Sequence, residues 1–179
     1  MTLPKSSATR GGLSDKLILE NQVRDVVEAY GFCEGMTFSF ESPKVYDKLN
    51  LGQEDDLRKS IVIANPLGED YSVMRTSALG GMLSSLAVNY NRRNRDVRLY
   101  EQLPVTELPD ERVQLTLGAY GQVDFYDVKG VLEEIFNRLG LRGKTEYCPD
   151  AGKAFLHPGR QAEVFYEGRA VAYLGEVHP

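Results

Sequence analysis

The sequence has 179 residues, a length that suits one domain with a sizeable core. Its 42% hydrophobic and 26% charged residues are ordinary for a globular protein, and its net charge of −5 argues against a strongly basic nucleic-acid-binding protein. Apolar runs such as "IVIA" and "AVAYL" are far shorter than the roughly 20 residues that cross a bilayer. The first residues also lack the apolar core and small-residue cleavage site of a signal peptide, so we expect no membrane partner.

The chain is expected to contain one domain behind a linker. Residues 1–13 are polar and without periodicity, as in a linker from a preceding domain. The domain is then 14–179, without internal repeats or low-complexity segments. We expect it to be truncated at its C-terminus, because a strand-like segment runs up to Pro179.

The first predicted element is a helix that begins after Ser14 and ends at Gly31. Serine is a favourable N-cap, and glycine is the usual left-handed residue after a last helical turn. The helix carries one apolar stripe at helical spacing, which consists of Leu19, Val23, Val26, Val27 and Tyr30. Such a stripe packs either against the chain's own sheet or against a partner helix.

The following segments predict two strands around a short helix. "GMTFSFESP" alternates Met36, Phe38 and Phe40 with small or polar residues, which indicates a half-buried strand. "PKVYDKLNL" predicts a short helix, and "QEDDLRK" predicts a charged loop. "SIVIANPLG" is typical of a buried strand that breaks at Asn65-Pro66.

A second strong helix is expected from Ala78 to Asn91, capped by Thr76 or Ser77. Its apolar face consists of Leu79, Met82, Leu83, Leu86, Ala87 and Tyr90. Four arginines follow its last turn: Arg92, Arg93, Arg95 and Arg98. They either complement the negative end of the helix or form a phosphate-binding patch.

The remaining chain predicts a strand, a loop and a second strand, and then a third helix and a hairpin. "DVRLYEQL" and "RVQLTLGAYG" are the strands, and the acidic "PVTELPDE" between them is expected to be a loop. The helix is expected to be capped by Asp127 and to stop at Gly140. "TEYC", "AEVFY" and "AVAYLGEV" complete the strands, with a tight turn at Glu167-Gly168. This order predicts an α+β domain with a mainly antiparallel sheet flanked by helices.

The sequence offers few signatures of chemistry. His157 and His178 have no ligand cluster around them, and neither a GxSxG nor a P-loop motif occurs, so we name no catalytic, cofactor or metal residue. Glu101, Asp124, Asp127, Glu163 and Glu176 form a carboxylate cluster only if their strands adjoin. Arg75, just before a helix, either contacts a ligand or braces the sheet. Cys33 and Cys148 are expected to be buried thiols in a reducing compartment.

Several motifs occur in the order found in one known family. "NPLGEDYSVMRTS" precedes a helix ending "NYNRRNRDVRLYE", "VDFYDVKGVLEEIF" follows, and "LHPGRQAEVFY" and "YLGEVHP" close the chain. The opening "TLPKSSATRGGLSDKLILENQVRDVVEAYGFCEGMTFSFESP" fits the same pattern. Together they resemble the C-terminal catalytic-like region of bacterial phenylalanine–tRNA synthetase β subunits.

The resemblance implies a class II synthetase fold that does not itself perform aminoacylation. It implies a structural module that assembles with a catalytic α subunit into a heterotetramer of two α and two β chains in the cytoplasm. ATP, magnesium and tRNA then belong to the parent complex, with no cofactor in this chain. Part of the helix 14–30 would lie in the subunit interface, with Leu19, Val23, Val26, Val27 and Tyr30 as the candidates.

The same resemblance implies the outline of a former active site. The candidate residues of this vestigial cleft are Arg75, Thr76, Glu101, Lys129, His157, Arg160 and Glu163. Activating an amino acid with ATP requires cations aimed at the phosphates. The strand has no arginine after Glu101, and the loop that follows it is expected to be shortened relative to the family pattern. A self-standing ATP-dependent ligase-like domain and a tRNA-binding module using Arg92, Arg93 and Arg95 are the alternatives.

Overall fold

The computed structural model describes residues 11–107 and 110–178, which form four α-helices and eight strands. The helices are α1 (Asp15–Ala29), α2 (Lys44–Lys48), α3 (Leu79–Asn91) and α4 (Phe125–Arg138). The strands are β1 (Cys33–Glu34), β2 (Phe40–Glu41), β3 (Val73–Met74), β4 (Val97–Glu107), β5 (Asp110–Tyr120), β6 (Thr145–Pro149), β7 (Leu156–Tyr166) and β8 (Arg169–Val177). None of the helices in these residues is long and apolar enough to span a membrane.

The strands form three small sheets whose pairing is mainly antiparallel. β4 and β5 pair along their whole lengths, and β1 adds a short parallel edge to β4. β2 pairs with β3, and β6, β7 and β8 form a second three-stranded sheet. The predicted α+β class with an antiparallel sheet and flanking helices is therefore confirmed.

Helix α4 connects the two larger sheets because two of its faces are apolar. Val131 and Ile135 pack into a core with α1 and β4, whose remaining buried members are Val26, Val27, Phe32 and Tyr100. Phe136, on another face, packs against the β7–β8 hairpin at Val164 and Leu174. A third cluster joins α2 to the start of β7 and consists of Tyr46, Leu49, Leu51, Phe155 and Leu156.

Several predicted element ends are confirmed by their local hydrogen bonds and backbone angles. The Ser14 hydroxyl accepts a hydrogen bond from the Leu17 amide at 3.4 Å. Gly31 and Gly140 follow α1 and α4 with φ of +83° and +74°, a region that favours glycine. Glu167 and Gly168 both have positive φ, as the predicted two-residue turn between β7 and β8 requires.

Two predicted boundaries were wrong. "PVTELPDE" was expected to be a loop, but β4 continues to Glu107 because its backbone keeps pairing with β5. Helix α4 is capped by Asp124 instead of Asp127. The Asp124 carboxylate accepts from the Tyr126 and Asp127 amides, while the Asp127 carboxylate accepts from the Asp124 amide, so the two acids form a capping box.

Two predicted strands are also largely absent, and their apolar residues are exposed. In "GMTFSFESP" only Phe40 and Glu41 are strand, and Met36 and Phe38 are 76% and 73% exposed. In "SIVIANPLG" Val62 makes one isolated bridge to Val73. Cys33 and Cys148, expected to be buried, are exposed free thiols. The predicted linker lies, apart from residues 11–13, outside the described residues.

Replacing the cap of α4 tests its assignment. We expect Asp124→Ala to lower the free energy of unfolding by about 1 kcal/mol, because two amides of the first turn lose their acceptor. Asp124→Asn keeps a side-chain oxygen and should lose much less. Urea unfolding followed by circular dichroism measures both variants, and equal losses would contradict the cap.

Candidate functional site

An ion pair buried beside β4 occupies the middle of the predicted cleft. Arg75 follows β3 and Glu101 lies within β4, and their side chains are 2% and 1% exposed. The Arg75 Nη1 donates to Glu101 Oε1 at 2.7 Å and to Thr37 Oγ1 at 2.9 Å. The Thr37 hydroxyl and amide contact the same carboxylate, at 2.9 Å and 3.2 Å. A carboxylate and a guanidinium thus neutralise each other inside the chain.

Arg75 also joins three segments through its backbone and its second amino group. Its amide donates to the Ser39 carbonyl, and its carbonyl accepts from the Thr106 amide. Its Nη2 donates to the Pro104 carbonyl at 3.1 Å. Of the two roles left open by the sequence, the contacts of Arg75 are those of a residue that braces the sheet.

The other candidate cleft residues lie in separate places. Thr76 donates to the Leu57 carbonyl. Lys129 pairs with Glu133 on α4, and Arg160 pairs with Glu176 across the β7–β8 hairpin. His157 stacks on His178 with ring centroids 5.9 Å apart, and Glu163 is a half-buried residue of β7.

The candidate carboxylates do not gather into one cluster either. Asp124 and Asp127 cap α4, Glu176 pairs with Arg160, and Glu101 pairs with Arg75. Among the described residues no three His, Cys, Asp or Glu side chains form a group that could hold a metal ion.

Two exposed apolar surfaces flank the same part of β4. We call the first the helix surface; it consists of Leu13, Leu17, Ile18 and Leu19 at the start of α1. We call the second the edge surface; it consists of Met36, Phe38 and Phe40. Gln102 donates to the Glu20 carbonyl of α1, while its neighbour Glu101 contacts Thr37. Since successive side chains of a strand point to opposite faces, the two surfaces lie on either side of one sheet edge.

The edge surface borders an open groove of about 440 Å³. Its lining includes Met74, Leu103 and Pro104 together with residues 36–40. Arg75 reaches this lining, and its buried Nε has no hydrogen-bond partner among the described residues. The groove is therefore lined mostly by apolar side chains around the Arg75 guanidinium, whose other two nitrogens donate hydrogen bonds.

The predicted interface stripe of α1 is divided between core and surface. Val26 and Val27 are buried in the chain's own core and Val23 packs against it, because this side of α1 faces α4 and β4. Leu19 and Tyr30 are 51% and 42% exposed. An interface role thus stays a prediction for Leu19 and Tyr30, whereas Val26 and Val27 lack the exposed surface that it requires.

The arginines after α3 also divide into two kinds. Arg98 donates to the carbonyls of Tyr30 and Gln122 and so ties β4 to neighbouring loops. Arg92, Arg93 and Arg95 are exposed. The side chain of Arg98 therefore has a structural role, whereas those of the other three arginines are exposed to solvent.

Sequence reasoning missed Thr37 and Glu41, which lie close to the buried pair. Thr37 occupies a polar position of the regular alternation in "MTFSF", so nothing in the sequence distinguished it from Ser39. Burial raises the pKa of Glu41 from 4.5 to about 7, while the Tyr46 hydroxyl and the Arg75 charge lower it by less. The Glu41 carboxylate also lies against Gly80 of α3, where a Cβ would approach it to 2.9 Å.

Removing one partner of the buried pair should destabilise the fold. We expect Arg75→Met to lower the free energy of unfolding by about 3–5 kcal/mol, because Glu101 would be buried without its cation. Adding Glu101→Gln should restore part of this loss. Arg160→Met breaks the exposed pair with Glu176 and, as the matched control, should cost about 0–1 kcal/mol. Chemical denaturation that gives equal losses for Arg75→Met and Arg160→Met would contradict the proposed brace.

Glu41 should make stability depend on pH. Because its folded-state pKa of about 7 exceeds the ordinary 4.5, the folded chain keeps a proton that the unfolded chain releases in this range. This contribution is full at low pH and is lost as the pH rises through about 7. The free energy of unfolding of Glu41→Gln, relative to the unmodified chain, should therefore increase from about pH 5 to pH 8. A difference that stays constant over this range would show that Glu41 does not titrate there.

Comparison with known proteins now places this arrangement in a family. The family model described as "Phenylalanyl tRNA synthetase beta chain CLM domain" matches residues 1–179. The phenylalanine–tRNA ligase β subunits of Clostridium tetani and Clostridium acetobutylicum are 37% and 38% identical to the chain. Each alignment covers 99% of this chain and 23% of the relative, so the chain spans about a quarter of their length.

Solved structures support the fold. The pyrrolysyl-tRNA synthetase from Desulfitobacterium hafniense superposes with a TM-score of 0.70 at 13% identity, over 89% of this chain and 58% of that one. A second structure of that protein gives a TM-score of 0.66 at 14% identity, over 89% and 55%. The fold is that of class II tRNA synthetases. On the sequence match over its whole length, the chain belongs to the family of phenylalanyl-tRNA synthetase β-chain CLM domains.

Proposed function

We propose that the chain is a noncatalytic structural module of the β subunit of phenylalanine–tRNA ligase and that it binds the catalytic α subunit through its helix and edge surfaces. The observation that carries this proposal is the exposure of large apolar side chains on both sides of one sheet edge. The names of the curated relatives support the subunit assignment.

The exposed apolar side chains suit an interface. Covering a large aliphatic or aromatic side chain contributes roughly 1.5–3 kcal/mol, so the two surfaces together hold enough apolar area to anchor a partner. Phenylalanine and methionine, which form most of the edge surface, are enriched in protein interfaces. The alternation in "MTFSF" is typical of a strand with one buried face, yet its apolar side chains are exposed in the structure. Packing against a partner chain would bury them.

The buried ion pair supports a noncatalytic role. Stabilising the charge that develops when an amino acid is activated requires cations directed at the nucleotide phosphates. Arg75 instead has its charge neutralised by Glu101 and two of its nitrogens engaged inside the chain. ATP and magnesium would then act on the α subunit of a cytoplasmic complex of two α and two β chains, and tRNA would be its substrate.

Charged substitutions on the two surfaces test the assembly role. We expect Leu19→Arg and Phe38→Arg each to weaken the complex with purified α subunit by at least about 10-fold, because a desolvated cation opposes association. Val171→Arg is the matched control, since Val171 is a half-exposed apolar residue of β8 outside both surfaces. Light scattering after size-exclusion chromatography gives the mass of each mixture.

All three variants should keep the thermal unfolding midpoint of the unmodified chain, because the replaced side chains are exposed. Equal assembly by all variants would contradict the proposed surfaces. Calorimetry that shows magnesium-dependent ATP binding tighter than about 100 μM would contradict the noncatalytic role and favour a ligase-like domain.

A further inference from the structure

A carboxylate is enclosed where the edge surface meets the helices. Glu41 follows Phe40 on β2 and is half-buried. Its Oε2 lies so close to α3 that a Cβ at Gly80 would approach it to 2.9 Å. The same Cβ would approach the Val45 side chain of α2 to 2.6 Å. The Glu41 carboxylate therefore lies where β2, α2 and α3 meet, directly behind a residue of the edge surface.

The surroundings of Glu41 favour its neutral form. Burial raises its pKa, and the Tyr46 hydroxyl and the Arg75 charge lower it by less. Arg75 directs its Nη1 to Glu101 and its Nη2 to the Pro104 carbonyl. The Tyr46 hydroxyl, although near, has no hydrogen bond of normal geometry within the part of the chain that the structure describes. An ionised Glu41 would thus share a cation that is already neutralised and would lack a well-placed donor.

The elements packed against Glu41 bring no further charge to it. Helix α3 and strand β3 contain no acidic or basic residue, and the one tyrosine of α3 is at the far end of the helix from Gly80. On α2, Lys44 and Asp47 form ion pairs with Glu69 and Arg58. The ionisation of Glu41 is therefore governed by its burial and by the two groups named above.

The strand that carries Glu41 is held by a short pairing. β2 and β3 share two residue pairs, Phe40 with Met74 and Glu41 with Val73. An ionised Glu41 regains water only if β2 moves away from α3. So short a pairing can open locally while the long β4–β5 and β7–β8 pairings stay intact. This opening would displace Phe40 and with it the edge surface.

We propose that Glu41 is a proton-dependent latch of the edge surface: the neutral carboxyl keeps β2 against α3 in the partner-binding form, and the ionised carboxylate releases it. The inference rests on the proposed function for the partner, whereas the latch itself lies within this chain. Because the closed form holds the proton, it is fully favoured at low pH and is lost as the pH rises through about 7.

The first experiment observes the latch in the 179-residue chain alone. Met36 belongs to the edge surface and Met74 pairs with Phe40, so carbon-13 spectra of the methionine methyl groups report on β2. We expect both resonances to shift in one transition with a midpoint near pH 7, and this transition to be absent in Glu41→Gln. Glu163→Gln, which replaces a half-buried acid of β7, is the matched control and should retain it.

The second experiment measures the affinity for purified α subunit by surface plasmon resonance. For the unmodified chain and Glu163→Gln we expect the affinity to fall about 10-fold from about pH 6 to pH 8, because the binding form requires the proton that Glu41 loses. The affinity of Glu41→Gln should stay within about twofold over the same range, since an amide does not ionise. Comparing the variants at each pH removes the contribution of groups that titrate on the α subunit.

Methionine resonances that do not respond to pH, or that respond equally in Glu41→Gln, would overturn the latch. The same pH dependence of affinity in Glu41→Gln and in the unmodified chain would also overturn it. Binding that is equally tight at every pH would leave the proposed assembly intact and contradict the latch. A methionine transition that requires Glu41, without binding of the α subunit at any pH, would support the latch and contradict the proposed assembly.

Discussion

The buried pair of Arg75 and Glu101 is the constraint on which the rest of the structure depends. Two charges removed from water destabilise a fold unless they neutralise each other and their hydrogen-bonding groups are engaged. Thr37, the Pro104 carbonyl and the backbone of Arg75 supply most of that engagement. The pair therefore fixes how the segment around Thr37, the end of β3 and the strand β4 lie relative to one another, although the guanidinium Nε is still unsatisfied.

This constraint also positions α3 and the apolar surfaces. Gly81 lies so close to Thr37 that a Cβ there would approach its hydroxyl oxygen to 2.4 Å, so the helix meets the pair through glycine. Holding Thr37 beside Glu101 leaves Met36 and Phe38, its two neighbours, directed away from the core. The ion pair that neutralises the charge of Arg75 therefore also keeps the edge surface exposed.

The sequence predicted the fold well wherever a local signal determines the structure. Ser14 marks a helix start through its side-chain hydroxyl, whereas Gly31, Gly140 and the Glu167-Gly168 turn are marked by residues with positive φ. The prediction of a buried strand failed where the signal was apolar alternation alone. A residue such as Phe38 gives the same sequence pattern whether it packs against its own chain or against another chain. The partnership of Arg75 with Glu101 was also hidden, since the two residues are 26 positions apart and spacing along the chain does not show which strands adjoin.

The most direct test of the central claim is the nitrogen-15 NMR spectrum of the arginine side chains, recorded with and without magnesium and ATP. If Glu101 neutralises the charge of Arg75, the guanidinium signals of Arg75 should be resolved and its protons should exchange slowly with water. The chemical shifts of these signals should not change when the nucleotide is added. Signals of Arg75 that exchange as fast as those of the surface arginines, or that shift on addition of the nucleotide, would contradict the account.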